Sequence, residues 1–333
     1  MNIKNDFIYY PVVIPTLCRF EHFRDCIESL KSCNDADKTE VILGLDYPPS
    51  EKHVEGYNKI KEYLSTITGF KNIMLFEHKE NLGATKNSDF IMNEALKRYD
   101  AFIYSEDDNV FAPTFLEFMN WGLNTYKNDM SIYSVCGYSY PINWEENDKV
   151  IIKQNRYFSA WGVGMWKNRF AEESSIYCSE YFRKFLNEND FLKKLDTSPR
   201  NLISFSDMLL CDSLRPYDIT RSVYMFVSEK YQLMPSLSLA RNTGWDNSGE
   251  HCCHIEIGNI FNKQRISEKT DFPTNNLVVK EPSEKVYSIL EDFQMSICEN
   301  SKKFLVKAKL KLFCVVFFGV EFMKKIKALV KRG

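Results

Sequence analysis

The stretch Ala101-Phe102-Ile103-Tyr104-Ser105-Glu106-Asp107-Asp108 constrains this chain most, because an apolar run stops abruptly at three consecutive carboxylates. A short, continuously apolar run suits a strand buried on both faces of a parallel sheet. In open α/β sheets ligands gather outside the carboxyl ends of the strands, so Glu106, Asp107 and Asp108 are expected to face such a crevice. Hard oxygen ligands there suit Mg2+ or Mn2+, and the metal in turn suits a diphosphate. The alternative is an acidic turn leading into the next helix, with Pro113 near its first turn.

The residues before this strand alternate between two periodicities. Tyr10–Pro15, Glu40–Asp46 and Ile73–Phe76 read as strands. Residues 20–32, with Phe20, Phe23, Cys26, Ile27 and Leu30 at helical spacing, read as a helix, as do 52–67 and 83–98. Such alternation predicts an α/β fold with a mostly parallel sheet and right-handed crossovers. Past residue 131 the rhythm loosens, with Ser131–Tyr138, Tyr157–Trp166 and Val223–Leu233 as strand candidates. The expected organisation is a first half at 1–130, a second at 131–265, a polar linker at 266–300 containing Pro273 and Pro282, and a C-terminal segment at 301–333.

A net charge of −2 gives no global field for nucleic acid, so none is expected as a partner. Ten cysteines are scattered without a CxxC pair, and the first residues lack the apolar run of a signal peptide, which points to the reduced cytoplasm. Adjacent Cys252-Cys253 lie outside zinc spacing and read as structural thiols. The tail differs: between Lys302 and Gly333 ten Lys or Arg residues and one acid, Glu321, surround the apolar block Leu312–Val320. Nine residues cannot span a bilayer, which takes about 20 as a helix. A basic amphipathic helix lying on an anionic membrane surface is one reading, and a helix docked on the protein with a solvated basic face is the other.

Three loops of the first half should meet the acidic strand end at the same sheet edge. Pro15 ends the first strand and Arg19 follows it, Asp46 ends the second, and Asn81-Leu82-Gly83-Ala84-Thr85-Lys86 opens a helix. A guanidinium can pair with a diphosphate, a strand-end carboxylate can accept a base N–H or ribose hydroxyl, and a glycine at a helix start lets backbone N–H groups approach an anion. Singly, Arg19 could be a surface ion-pair residue, Asp46 a turn residue before Pro48-Pro49, and Asn81–Gly83 an ordinary loop.

With these residues the chain resembles the nucleotide-sugar half of GT-A glycosyltransferases. Arg19 after Val12-Val13-Ile14-Pro15, Asp46 after Val41–Leu45, and Tyr104–Asp108 followed by Ala112-Pro113-Thr114-Phe115 are similar to the N-acetylglucosaminyltransferase I group. Asn81-Leu82-Gly83 is similar to the donor-helix block of inverting family 2 bacterial glycosyltransferases. The resemblance implies a GT-A type, Rossmann-like sheet. It also implies that Asp46 binds uracil, Arg19 the nucleotide and Asp108 the metal, with Glu106 and Asp107 around sugar and ribose.

In the second half, Ser159-Ala160-Trp161-Gly162-Val163-Gly164-Met165-Trp166 resembles a glycine-rich aromatic segment beneath the donor sugar. Glycines there permit close backbone approach and tryptophan stacks on a sugar face; a core strand with packed Trp is the alternative. Asp207 in Phe205-Ser206-Asp207-Met208, read at the start of an apolar helix, is the candidate general base, with Asp212 second and helix N-capping as the structural alternative. Arg241–Cys252 resembles the glycine-bearing C-terminal loop of bacterial GT-A enzymes, with Trp245 facing sugar and His251 a candidate metal ligand or a structural histidine.

The resulting expectation is an Mn2+- or Mg2+-dependent inverting glycosyltransferase. It would move a sugar from a nucleotide-sugar, in the resemblance a UDP-sugar, to a glycan or lipid-linked acceptor in polysaccharide synthesis. It would sit peripherally on the inner face of the cell membrane. Two other readings are a sugar-phosphate nucleotidyltransferase, against which the chain has no Gly-rich phosphate loop near its first strand, and a non-catalytic glycan-binding module, which needs no run of three carboxylates.

Overall fold

The computed structural model describes residues 7–144, 149–211, 214, 217–246, 248–249, 260–273 and 275–330. Its first part follows the alternating pattern. Val12–Thr16 (β1), Phe20–Lys31 (α1), Glu40–Leu45 (β2), Val54–Leu64 (α2), Asn72–Glu77 (β3), Ala84–Leu96 (α3) and Ala101–Tyr104 (β4) succeed one another. β3, β2, β1 and β4 lie side by side and parallel, with Val12 opposite both Val41 and Ile103. The continuous apolar character of β1, β2 and β4 is explained by burial, β2 being inaccessible along its whole length, whereas β3 lies at the edge with Leu75 exposed. α3 covers this sheet with Ile91, Met92, Ala95 and Leu96. Gly44 makes the close approach possible, because a Cβ there would lie 2.3 Å from Asn87 Oδ1.

The chain continues through Asn109–Phe111 (β5), Phe115–Thr125 (α4), Ile132–Cys136 (β6), Val150–Gln154 (β7), Val163–Trp166 (β8), Lys167–Ile176 (α5), Ser179–Arg183 (α6), Phe191–Asp196 (α7), Pro199–Met208 (α8), Tyr217–Val227 (α9), Tyr231–Pro235 (β9), Ala240–Asn242 (β10), Val278–Lys280 (β11), Glu284–Ser296 (α10), Ser301–Phe318 (α11) and Val320–Val330 (α12). Among the described residues the strands form one sheet ordered β11-β7-β9-β6-β8-β4-β1-β2-β3, with a separate β5–β10 ribbon. β8 runs antiparallel to both β4 and β6, while β7 and β11 pair in parallel. The fold is α/β, with a large, mostly parallel central sheet flanked by helices.

The chain forms two compact units whose borders differ from the expected halves. The first comprises Met1–Lys153, Ser159–Asn168 and Gln232–Glu281 and holds essentially the whole sheet; the second comprises Gln154–Phe158, Arg169–Tyr231 and Pro282–Gly333 and is helical. Residues 266–281, expected as linker, belong instead to the first unit. Phe272 packs edge-on against Phe118 and lies 5.9 Å from Trp121, and β11 extends the sheet. Of the strand expected at Val223–Leu233, Val223–Val227 closes helix α9 and only Tyr231–Leu233 enters a strand. All of 220–227 is buried, and a continuously buried run cannot be told from a buried strand by periodicity.

In the second unit the tail is two helices broken at Gly319, whose φ of +83° favours glycine. α11 lays Ala308, Leu312 and Val315 against α8, so the docked-helix expectation holds for this stripe. Its exposed surface carries Lys302, Lys303, Lys307 and Lys309 together with Phe304, Val306, Leu310, Phe313, Phe317 and Phe318, so the outer face of α11 is basic and apolar at once. No helix among the described residues is long and apolar enough to cross a membrane.

Candidate active site

The carboxyl ends of β1, β2 and β4 bring most of the expected residues together in the first unit. Arg19, at the N-cap of α1, donates to Asp107 and pairs through Nη1 with Asp108 Oδ2 at 2.8 Å. Asp107 Oδ2 accepts from the Thr16 hydroxyl at 2.8 Å, and Thr16 O accepts the Asp46 N–H at 2.9 Å, so the three strand ends form one bonded chain. Asp107 and Asp108 are almost fully buried, whereas the Arg19 side chain keeps 22% exposure and is the group an incoming anion can reach. Burial raises the Asp108 pKa; Arg19 opposes the rise and the Asp107 charge adds to it. Desolvation works against the Arg19 charge, but Asp107 and Asp108 outweigh it and hold the guanidinium protonated.

Asp46 is held by the loop that follows β3. Its Oδ1 accepts the N–H groups of Tyr47 at 2.9 Å and Leu82 at 2.8 Å, and its Oδ2 accepts Gly83 N–H at 2.9 Å and Asn81 Nδ2 at 3.3 Å. A carboxylate offers about four lone-pair sites. In this structure Tyr47, Leu82, Gly83 and Asn81 take them. Asp46 ties the Asn81–Gly83 loop to the end of β2 and so fixes where α3 begins. Gly83 caps that helix at φ +78°, with open space where a Cβ would stand, and Lys86 is exposed in the first turn. Pro15, half-buried in β1 opposite Gly44, is a strand residue.

The loop after β10 closes on the same acids. Asn242 Nδ2 donates to Asp108 Oδ1 at 2.5 Å and its Oδ1 accepts Gly244 N–H at 3.0 Å; Thr243 donates through both N–H and hydroxyl to Asp108 O. Gly244 lies so close that a Cβ would fall 2.0 Å from Asp108 Oδ2. His22 on α1 holds the loop from the other side, with Nε2 2.9 Å from Asp246 Oδ2 and Nδ1 3.3 Å from Thr243 Oγ1. Thr16, His22, Asn242, Thr243 and Asp246 had no assigned role from sequence, because their pairings join residues up to 224 positions apart. His251, Asp212 and Cys252-Cys253 lie outside the described residues.

Trp161 and Trp245, both half-buried, belong to one aromatic cluster with Phe261. Gly162, at φ +73°, makes its close approach to the Phe115 ring, where a Cβ would sit at 2.8 Å, so this glycine serves packing. Asp207 is in the second unit and at the end of α8, not at a helix start, which removes the N-cap alternative. An acid at a helix C-terminus is unfavourable, and Lys311 of α11 offsets this by pairing with its exposed carboxylate.

A divalent ion fits this donor set in one way. Among the described residues no group of three or more His, Cys, Asp or Glu is placed to hold a metal ion by itself. The strand end nevertheless carries three carboxylates, Glu106, Asp107 and Asp108, against one guanidinium, Arg19, and all its acidic donors are hard oxygens. That chemistry suits Mg2+ or Mn2+ held by one or two carboxylates and completed by a phosphate ligand.

No protein-family profile matches the sequence, and no curated protein matches it. Among solved structures, the chain is similar to the mannosyltransferase PcManGT from Pyrobaculum calidifontis in complex with GDP-Man and Mn2+, at 11% identity over 66% of this chain and 70% of that one, with a TM-score of 0.39. It is also similar to S. aureus TarS 1-349, at 11% identity over 93% of this chain and 81% of that one, TM-score 0.39. The complex of the same TarS fragment with UDP matches at 12% identity over 62% of this chain and 67% of that one, TM-score 0.36.

Proposed function

We propose that this chain is a glycosyltransferase that takes a sugar from a nucleotide-sugar, by resemblance a UDP-sugar, and passes it to a hydroxyl of a glycan or lipid-linked acceptor. The observation that carries the proposal is the junction of Arg19, Asp107 and Asp108 with the Asp46-anchored Asn81–Gly83 loop, through Thr16, at the carboxyl edge of a parallel sheet. In such sheets that edge is where nucleotides bind. The α3 N-terminus offers backbone N–H groups to an anion, Lys86 adds a cation, and Arg19 can turn its exposed edge to a phosphate.

Three carboxylates facing one guanidinium would repel a diphosphate, so the proposal includes Mn2+ or Mg2+ held by Asp108 with Glu106 beside it. Bound there, the ion would supply charge neutralisation for the departing nucleoside diphosphate. Asp107, locked between Arg19 and Thr16, orients the guanidinium. Inversion at the transferred carbon and Asp207 as the base are part of the same proposal by resemblance. Lys311 pairs with Asp207 Oδ1, and the carboxylate stays exposed, so its other oxygen is open to an acceptor hydroxyl.

The apolar outer face of α11, with Lys302, Lys303 and Lys307 along it, further supports a peripheral seat on an anionic membrane, proposed as the cytoplasmic face. Product analysis tests the central proposal. Incubation with a panel of UDP-sugars and Mn2+ should release nucleoside diphosphate. Release of pyrophosphate from a sugar phosphate and a nucleoside triphosphate would assign a nucleotidyltransferase instead.

A further inference from the structure

The two buried acids of the strand end have four carboxylate oxygens, and each is held by a donor of the protein itself. Asp107 Oδ1 takes Arg19 Nη2 and its Oδ2 the Thr16 hydroxyl; Asp108 Oδ1 takes Asn242 Nδ2 and its Oδ2 Arg19 Nη1. The three donor residues are not equivalent. Thr16 and Asn242 are neutral, almost fully buried and fixed by strand pairing in β1 and β10. Arg19 alone of the three carries a charge, and it sits on a long side chain that reaches solvent.

This arrangement sets a condition on any further cation that binds Asp108. Mg2+ stands about 2.1 Å from a carboxylate oxygen, and Arg19 Nη1 already stands 2.8 Å from Asp108 Oδ2. Gly244 crowds both groups, since a Cβ there would fall 2.0 Å from Oδ2 and 3.0 Å from Nη1. A guanidinium and a divalent ion sharing this buried oxygen would also repel each other where little water screens them. The ion must therefore take the place of Nη1. Arg19 in turn cannot leave without a new anion, because a half-buried guanidinium stripped of its partners loses its hydrogen bonds without regaining full hydration. A diphosphate is such an anion, and its oxygens match the guanidinium fork.

We infer that Arg19 is an exchangeable counter-ion: it yields Asp108 to a divalent ion only when a diphosphate receives its guanidinium. Each ligand prepares the site for the other. The ion alone must expel Arg19 to a place without a partner, and the diphosphate alone meets three carboxylates, Glu106 among them, against one guanidinium. Arg19 is thus a positioning residue that links the two affinities, by the same factor in both directions. The inference rests on the proposed reading of this sheet edge as a nucleoside-diphosphate site.

Arg19→Met and Arg19→Lys test it. Electron paramagnetic resonance of free Mn2+ gives the affinity for the ion with and without UDP, and calorimetry gives that for UDP with and without Mn2+. In the wild type UDP should tighten Mn2+ by about 10- to 100-fold, and Mn2+ should tighten UDP equally. Arg19→Met should bind Mn2+ alone at least about 10-fold tighter than the wild type, because no charged hydrogen bond has to break. Its affinity for UDP in Mn2+ should fall, so the linkage shrinks from both sides. Arg19→Lys keeps a cation but cannot bridge both acids, so its affinity for Mn2+ alone should lie between the two and decides the matter if Arg19→Met does not fold. Mn2+ affinity equal to or weaker than wild type in the folded variants would overturn the exchange and leave Arg19 as a clamp on the acids. A gain in Mn2+ affinity of the same size with and without UDP would overturn it too, by reducing Arg19 to a distant charge. If the wild type binds no nucleotide at all, the transfer proposal falls, while the Mn2+-alone arm still decides whether the ion and Arg19 compete for Asp108.

Discussion

Gly244→Ala adds one methyl group at the place where the structure has least room for it. The new Cβ would stand 2.0 Å from Asp108 Oδ2, 2.7 Å from its Cγ and 3.0 Å from Arg19 Nη1. Ordinary contact begins at 3.4 Å, so the neighbours must retreat by about 1.4 Å (3.4 minus 2.0). Asp108 cannot do so freely, being buried and held by Asn242 at 2.5 Å and Arg19 at 2.8 Å. The backbone at 244 is outside the left-handed region, so alanine adds no conformational strain and the effect isolates the steric contact. Overpacking of this kind costs about 1–3 kcal/mol, whereas a displacement of about 1 Å at a reacting centre costs on the order of 10²-fold in rate. Nucleoside diphosphate release from a UDP-sugar, measured beside a thermal melt, should show a folded protein with a deep loss of turnover. A variant with wild-type rate would refute the placement of Asp108 and Gly244 at the centre of the site.

Three further outcomes are expected. Burial pushes the Glu291 carboxyl from 4.5 up to about 7, so between those values the native state holds a proton that the unfolded state has lost. Stability then falls as pH rises through this window, by at most about 3 kcal/mol; Glu291→Gln should flatten the dependence of Tm on pH, and an unchanged slope would show that Glu291 is not its source. Asp207→Asn keeps the side-chain shape and removes basicity, so kcat should drop by about 10²-fold or more with donor affinity intact; unchanged kcat would leave Asp207 as a partner for Lys311 alone. Phe313→Ser with Phe317→Ser removes two exposed rings of α11 and should release the protein from anionic vesicles while sparing transfer to a soluble acceptor. Equal partitioning of variant and wild type would remove the membrane role.

The parallel part of the sheet was legible because its strands and helices carry clean periods: β4 falls on Ala101–Tyr104 as expected, and α1 and α3 match within two residues. The convergence of Arg19, Asp107 and Asp108 followed from topology, since parallel strands must end on one edge. What Asp46 does was not legible. Its carboxylate is saturated largely by backbone N–H groups of residues 47, 82 and 83, and no side-chain pattern announces such donors. Asp207 was misplaced on its helix because Pro199, which sets the N-terminus of α8, lies eight residues upstream of it. The Asn242–Asp108 bond joins residues 134 apart and depends on the β5–β10 ribbon, three residues per strand, too short to show a period.

Metal-dependent donor binding tests the central claim most directly. Calorimetric titration of a UDP-sugar into the protein, with and without Mn2+ and repeated on Asp108→Asn, asks whether three carboxylates and one arginine need a further cation to accept a diphosphate. The account predicts binding that appears with Mn2+, weakens strongly without it, and loses its metal dependence in Asp108→Asn. Equal donor affinity with and without a divalent ion, in wild type and variant alike, would contradict it.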